Sequence, residues 1–215
     1  MKQVTEAYIT AFFERHTDLK FLQVQVESVV AILVNAFQKG NKLLLCGNGG
    51  SCADCEHIAG ELLKGFLLNR PVKQELIGEL AKHYGEQGKA IGEKLQQGLP
   101  AISLGAHSAA ISAFANDVDA SLVYAQQVLA YGRAGDVLLG ISTSGNAENV
   151  SAAMMTANSL GLRSIALTGR DGGKLAQLAQ ISLIMPQQET YRIQEDHLAV
   201  YHLLCAAVEY ELFDC

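Results

Sequence analysis

The chain has 215 residues, about half of them hydrophobic, which suits one α/β domain with a sizeable core and does not force two. Its net charge is −6 and its pI is near 5.5. No basic run stands out, so the electrostatic footprint of a nucleic-acid binder is missing. No stretch of eighteen or more apolar residues is evident, and the N-terminal twenty residues carry acids, so neither a membrane span nor a secretory signal is expected.

In chain order, residues 4–15 and 20–39 show helical periodicity, with Leu22, Val26, Val29, Val30, Leu33 and Phe37 on one face. Residues 42–47 (KLLLCG) read as a strand buried on both sides of a parallel sheet. A glycine-rich loop follows at 47–51, then a helix from Cys52 to about Phe66. Residues 71–98 are polar, charged and glycine-spaced; they predict one or two amphipathic helices inserted into the fold. A strand is expected at 100–104, a helix at 108–115, a turn at Asn116-Asp117 and a helix over 119–133. Three regular units close the chain: strand 136–142 and helix 148–160, strand 163–168 and helix 174–179, strand 181–185 and a long helix over 191–213. Strands alternating with helices predict an α/β fold in three layers, a parallel sheet flanked by helices on both sides.

Two strand-to-helix loops carry polar chemistry. Asn48, Gly49, Gly50 and Ser51 follow the first strand. Glycines let backbone N–H groups approach a ligand, and a helix N-terminus attracts anions. By itself this is also an ordinary tight turn. Ser142, Thr143, Ser144, Gly145 and Asn146 follow a second buried strand. One Ser, Thr or Asn suffices to cap a helix; the larger number here points to a phosphate held by hydroxyls and N–H groups. Neither loop has the lysine of a P-loop, and no GxGxxG opens a helix, so a phosphorylated small molecule is a better ligand than ATP or NAD.

His57 and Glu61 lie four apart on the helix after the first loop, on one face. On the last helix Gln194 and His202 lie eight apart, a shared face with about 12 Å of rise between them. One ion reaches both only if the side chains lean together or one arrives from another subunit. Two imidazoles, a carboxylate and an amide suit Zn²⁺ or another borderline divalent ion; on spacing alone His197 and His107 are equally open as ligands. Cys52 and Cys55 form a CxxC at a helix start, where a thiol pKa would fall. With no second cysteine pair, the preferred reading is two small thiols packed beside the loop. The five cysteines (Cys46, Cys52, Cys55, Cys205, Cys215) are an odd set without an export signal, which predicts reduced thiols and a cytoplasmic location.

The segments CGNGGS (46–51), HIAGEL (57–62), FANDVD (114–119), GDVLLGISTSGNAENV (135–150), ALTGRDGGKLA (166–176) and RIQEDH with the later YH (192–202) closely resemble the phosphoheptose isomerases of the SIS (sugar isomerase) fold. The resemblance covers nearly all of the chain except 71–98. It implies a single SIS domain over 1–215, with N-terminal helices in 1–40 and the insertion at 71–98. It implies metal ligands at His57, Glu61, Gln194 and His202, and substrate contacts from Asn48, Gly49, Gly50, Asn116, Asp117, Ser142, Thr143 and Ser144, to which Ser51, Glu61 and Gln194 are added. It further implies a homotetramer, interconversion of sedoheptulose 7-phosphate and D-glycero-D-manno-heptose 7-phosphate, and no nucleic-acid or membrane partner. Aldose–ketose isomerisation needs an acid, a base and oxyanion stabilisation; Glu61 and His202 are the expected proton carriers. Ala147, Tyr191 and the insertion depart from the family pattern and bear on phosphate binding and on which sugar fits. The alternatives are isomerisation of another ketose phosphate, or a non-catalytic SIS protein that binds sugar phosphates or a replication-initiator-type partner.

Overall fold

A computed structural model describes residues 1–213; the expectation for Cys215 lies outside the described residues. The apolar runs form strands β1 (Leu43–Gly47), β2 (Ala101–Ser103), β3 (Val137–Ser142), β4 (Arg163–Gly169) and β5 (Ile181–Met185). They pair in parallel in the order β2-β1-β3-β4-β5. Because side chains alternate along a strand, Leu43, Leu45, Val137, Leu139, Ile141, Ile165 and Leu167 enter one core, and Leu44, Cys46, Leu138 and Ala166 the other. The first core is covered by α1 (Gln3–Arg15), α2 (Gln23–Gln38), α3 (Gly50–Leu63) and α9 (Thr190–Leu212), the second by α6 (Val123–Tyr131), α7 (Glu148–Ser159) and α8 (Gly173–Leu178). The expected three layers are therefore present.

In this order the strands before and after the β1–β3 junction are added in opposite directions across the sheet. Ligands of open parallel sheets bind beyond the carboxyl ends of the strands at such a reversal. The loops after β1 and β3 are the two polar loops of the sequence.

Several elements differ from expectation. The segment before α2 is a 3₁₀ turn over Thr17–Leu22, so the α-helix starts three residues later than expected. The combined Thr17–Gln38 stretch is long and apolar enough by length and mean composition to cross a membrane, though it is no unbroken apolar run; Val26, Val29, Val30 and Leu33 are buried in the protein core. Asn116 and Asp117 are not in a simple turn. They lie in a π-helical turn, Ala115–Asp119, that continues α5 (Ser108–Phe114).

The insertion forms α4 (Gln74–Gly92), folded back on itself at Gly85, whose φ of 61° is one that other residues rarely adopt. Its arms touch where Gly88 meets Leu80 and Gly92 meets Ile77. The base of this hairpin is tied to the main body by an antiparallel bridge between Pro71 and Gln96 and by the bond from Leu99 N to the Leu62 carbonyl, 2.8 Å.

Candidate active site

The loop after β1 and the loop after β3 line one cavity of about 210 Å³, with Asn48, Ser51, Ser142, Thr143, Ser144 and Ala147 on its wall. The N-cap of α7 is Ala147, which has no capping side chain. The Ser142, Thr143 and Ser144 hydroxyls are thus not used to cap the helix; Ser144 Oγ accepts from Asn146 N at 3.2 Å. Asn48 is held by Asn149 through two amide bonds of 2.8 and 2.9 Å. Asn149 had no signal in the sequence beyond its place in the first turn of α7. Beyond Ser144, a second cavity of about 410 Å³ is lined by Asn146, Arg170, Asp171 and Gln188. Arg170 has a left-handed φ of 57° and bonds through Nε to the Gln188 carbonyl. A larger groove of about 710 Å³ lies along α7 and α8, beside Met155 and Leu178, and of the two polar loops it reaches only Asn146.

A second cluster sits farther along α3. His57 Nε2 is 3.2 Å from Glu61 Oε1 and 3.5 Å from His202 Nε2. The four-residue spacing on α3 places the first pair, and α9 packs beside α3 to deliver His202. Phe66 stacks on the His202 ring, with centroids 5.5 Å apart. Lys64 holds the other Glu61 oxygen, Oε2, at 2.9 Å. The cluster is open to solvent, the His57 side chain being 43% exposed. Among the described residues, no group of three or more His, Cys, Asp or Glu side chains is arranged to hold a metal ion; the contacts here are two pairs that meet at His57 Nε2.

The electrostatics give Glu61 and His202, the two expected proton carriers, distinct states. Burial pushes the Glu61 carboxyl up, but Lys64 and His57 together outweigh it and leave it below the usual carboxylate range. His202 is pushed down by burial and then by His57, against the pull of Glu61. At neutral pH Glu61 is therefore ionised and His202 neutral.

Two residues behind the cluster were missed by the sequence reading. The Tyr201 hydroxyl lies 2.8 Å from His57 Nδ1, and Tyr201 and His57 together oppose the rise that burial imposes on the Asp54 carboxyl. Asp54 stands three residues before His57, a visible helical spacing. Tyr201 precedes His202, and neighbours on a helix point in different directions, which hid it.

Gln194 packs against the start of α3. Its amide lies against Gly50, so closely that a β-carbon there would sit 2.3 Å from Nε2. Gly50 and His57 are seven residues apart, about 10 Å along the helix. Asn116 and Asp117 are exposed, with the Asn116 amide donating to Asp117 at 2.8 Å. His107 stacks on Tyr131. Cys46, Cys52, Cys55 and Cys205 are free thiols, and burial raises the pKa of each; this is the packing role expected for Cys52 and Cys55, not a lowered thiol pKa.

His197 is fully buried, with Nε2 3.1 Å from the Thr168 carbonyl. It is thus committed to β4 and away from the cluster. Burial depresses its pKa from 6.5 to about 4. A base depressed in the folded state favours folding above its unfolded pKa, and that contribution is lost as pH falls from about 6.5 toward 4. Between pH 7 and 5 the loss amounts to about 2 kcal/mol. Denaturant titrations at the two pH values should therefore show His197→Gln losing about that much less stability than the wild type; equal losses would exclude His197 as the source.

Comparison with known proteins places the chain among relatives along its whole length. A family model for the SIS domain matches residues 7–97 and 96–169. A phosphoheptose isomerase from Clostridium acetobutylicum is 36% identical over 99% of this chain and 97% of its own. The structure of a phosphoheptose isomerase from Neisseria gonorrhoeae superposes with a TM-score of 0.73 at 32% identity, covering 95% of this chain and 96% of that one. One from Francisella tularensis gives the same TM-score at 28% identity, covering 98% and 100%.

Proposed function

Since the chain belongs to the SIS domain family, among the phosphoheptose isomerases, and is a phosphosugar isomerase, we propose that it interconverts sedoheptulose 7-phosphate and D-glycero-D-manno-heptose 7-phosphate through an enediol. The observation that carries this reading is the meeting of His57, Glu61 and His202 about 10 Å along α3 from the serine-lined cavity. That separation suits a sugar of six or seven carbons, joined by bonds of about 1.5 Å, with its phosphate among Ser142, Thr143 and Ser144 and its carbonyl end at the cluster.

The donor types suit a divalent ion. A tetrahedral ion with bonds of about 2.0–2.1 Å holds its ligands about 3.3–3.4 Å apart, and the two spacings at His57 Nε2, 3.2 and 3.5 Å, bracket that value. Zn²⁺ held by His57, Glu61 and His202 would polarise the sugar carbonyl as a Lewis acid. Gln194, the fourth ligand implied by the family, faces Gly50 here and is better placed to touch the sugar chain.

In the reaction Glu61 removes a proton from C1 of the ketose. The carbonyl oxygen on C2 gains a proton, the C1 hydroxyl loses one, and a proton returns to C2. Neutral His202, through the Nδ1–H that an ion on Nε2 would leave free, gives its proton to the C2 oxygen and takes one back from the C1 hydroxyl, and Glu61 delivers the one to C2. Glu61 presents its two oxygens differently, Oε1 to His57 and Oε2 to Lys64, so ligand and base roles fall on different atoms. A homotetramer whose neighbouring subunit covers the open side of His57 would exclude water from the enediol.

The test is a panel of aldose and ketose phosphates incubated with purified protein, with products read by NMR and metal content by elemental analysis. Turnover of the heptose pair with one bound divalent ion per chain is expected. Selective turnover of a shorter ketose phosphate would move the substrate to the alternative that Ala147, Tyr191 and the insertion suggest. No turnover of any sugar would leave the proposal without support.

A further inference from the structure

We propose that the first arm of the α4 hairpin is an interface between two copies of this chain, packed antiparallel on the same arm of a neighbouring subunit about a two-fold axis at Leu80. The segment lies outside the stretches that resemble the phosphoheptose isomerases, and the contact does not depend on the isomerase reading.

The hairpin is poorly supported by its own chain. Folded in two at Gly85, the 19-residue α4 leaves arms of about ten residues, short of the roughly 12–15 at which an isolated helix holds in water. Only Gly88 and Gly92 are buried in it, and among the described residues no α4 side chain joins either core. Leu76, Tyr84, Ile91 and Leu95 stand between 45% and 68% exposed. Short helices hold mainly by burying an apolar face, and here that face is on the outside.

Leu76, Leu80 and Tyr84 are spaced four apart and form one stripe along the first arm. Ile77 is turned toward Gly92 of the second arm, so that arm does not cover the stripe. Along its flank Glu79 meets Lys82 at 3.5 Å and His83 at 3.4 Å within the arm. Charge is therefore sorted along the flank, with Glu75 and Glu79 toward the root of the hairpin and Lys82 and His83 toward its tip. A parallel neighbour would set acid beside acid. An antiparallel one about Leu80 sets Leu76 on the partner's Tyr84 and Glu79 beside the partner's Lys82 and His83. Each of these contacts occurs twice, as in any isologous interface. The stripe and its flank are thus complementary to themselves, which selects a second copy over a partner of unrelated sequence.

The test is sedimentation velocity of the full chain over a range of concentrations. Leu76→Glu combined with Tyr84→Glu sets like charges face to face. It should weaken the contact at least about a hundredfold and halve the mass of the assembly, with a cooperative melt retained. Should that variant fail to fold, the flank charges still decide. Glu79→Lys and Lys82→Glu, each studied alone, should raise the concentration at which copies assemble by about tenfold. Mixed in equal amounts the two should assemble as the wild type does, because each then meets its opposite across the contact; no interaction within one chain gives that recovery. A wild type that sediments as a single chain, a mass unmoved by the double glutamate variant, or charge variants that assemble normally alone or do not recover on mixing would overturn the proposal.

Discussion

Glu61→Gln is expected to lower kcat by about a thousandfold, within the range that a positioned acid or base contributes, while the assembled protein elutes unchanged on size exclusion. The glutamine amide keeps the size of the side chain and the place on α3. It loses the charge that Lys64 and His57 stabilise, and with it the ability to take a proton from carbon. The surface ion pair with Lys64 contributes little to folding, so stability should barely move. Steady-state kinetics on the heptose phosphate pair checks this. Activity within tenfold of wild type would remove Glu61 from the chemistry and leave it a surface partner of Lys64.

The largest effect on stability is expected at the other end of α9. Arg70 and Glu209 form an ion pair at 2.6 Å with both side chains fully buried. Glu209 also accepts from the backbone N–H groups of Phe66, Leu67 and Leu68 at 2.8, 2.7 and 3.0 Å. Arg70 Nη1 donates to the Leu62 carbonyl at 3.0 Å, and the guanidinium lies over the Phe213 ring. One carboxylate therefore fixes the loop that carries Phe66 onto His202. Glu209→Ala would strand a buried cation and three N–H donors, a change that costs about 3–5 kcal/mol. For a chain of this length that is a fall in Tm of about 10 °C or more. Thermal melts at one fixed protein concentration measure it; a fall of two degrees or less would mean that the pair adds nothing net. Glu209→Gln, which keeps acceptor oxygen but not charge, should fall between.

The parts of the fold that rest on local pattern were legible in the sequence. Runs such as KLLLCG and DVLLGIS can only be strands buried on both faces, and the helices between them follow from spacing. The N-terminal helix was placed three residues early because Phe21 and Leu22 continue its apolar pattern, although the backbone there winds as a 3₁₀ turn. The insertion gave its helical nature but not its hairpin, which depends on one glycine with a positive φ and two others that let the arms touch.

The candidate site was half legible. His57 with Glu61 is a helical spacing, and the serine run after β3 exceeds what capping needs. The partners that make the arrangement specific come from distant positions. Arg70 and Glu209 are 139 residues apart, Asn48 and Asn149 are 101, and Tyr201 reaches His57 across 144. Nothing periodic links such pairs, so only the packing of α9 on α3 and of α7 across the sheet reveals them. Gln194 shows the converse. The family pattern groups it with His202, yet eight residues of helix separate them, and the chain presents its amide to Gly50.

The central claim is that a proton is moved between neighbouring sugar carbons at the Glu61–His202 pair. It is tested most directly by converting sedoheptulose 7-phosphate in D₂O and reading the aldose by NMR. One deuterium at C2 of the product is expected, because the proton taken by Glu61 exchanges with solvent before it returns. Product formed with C2 wholly unlabelled would mean that the hydrogen passes from C1 to C2 without meeting solvent, and would contradict a proton that exchanges on Glu61.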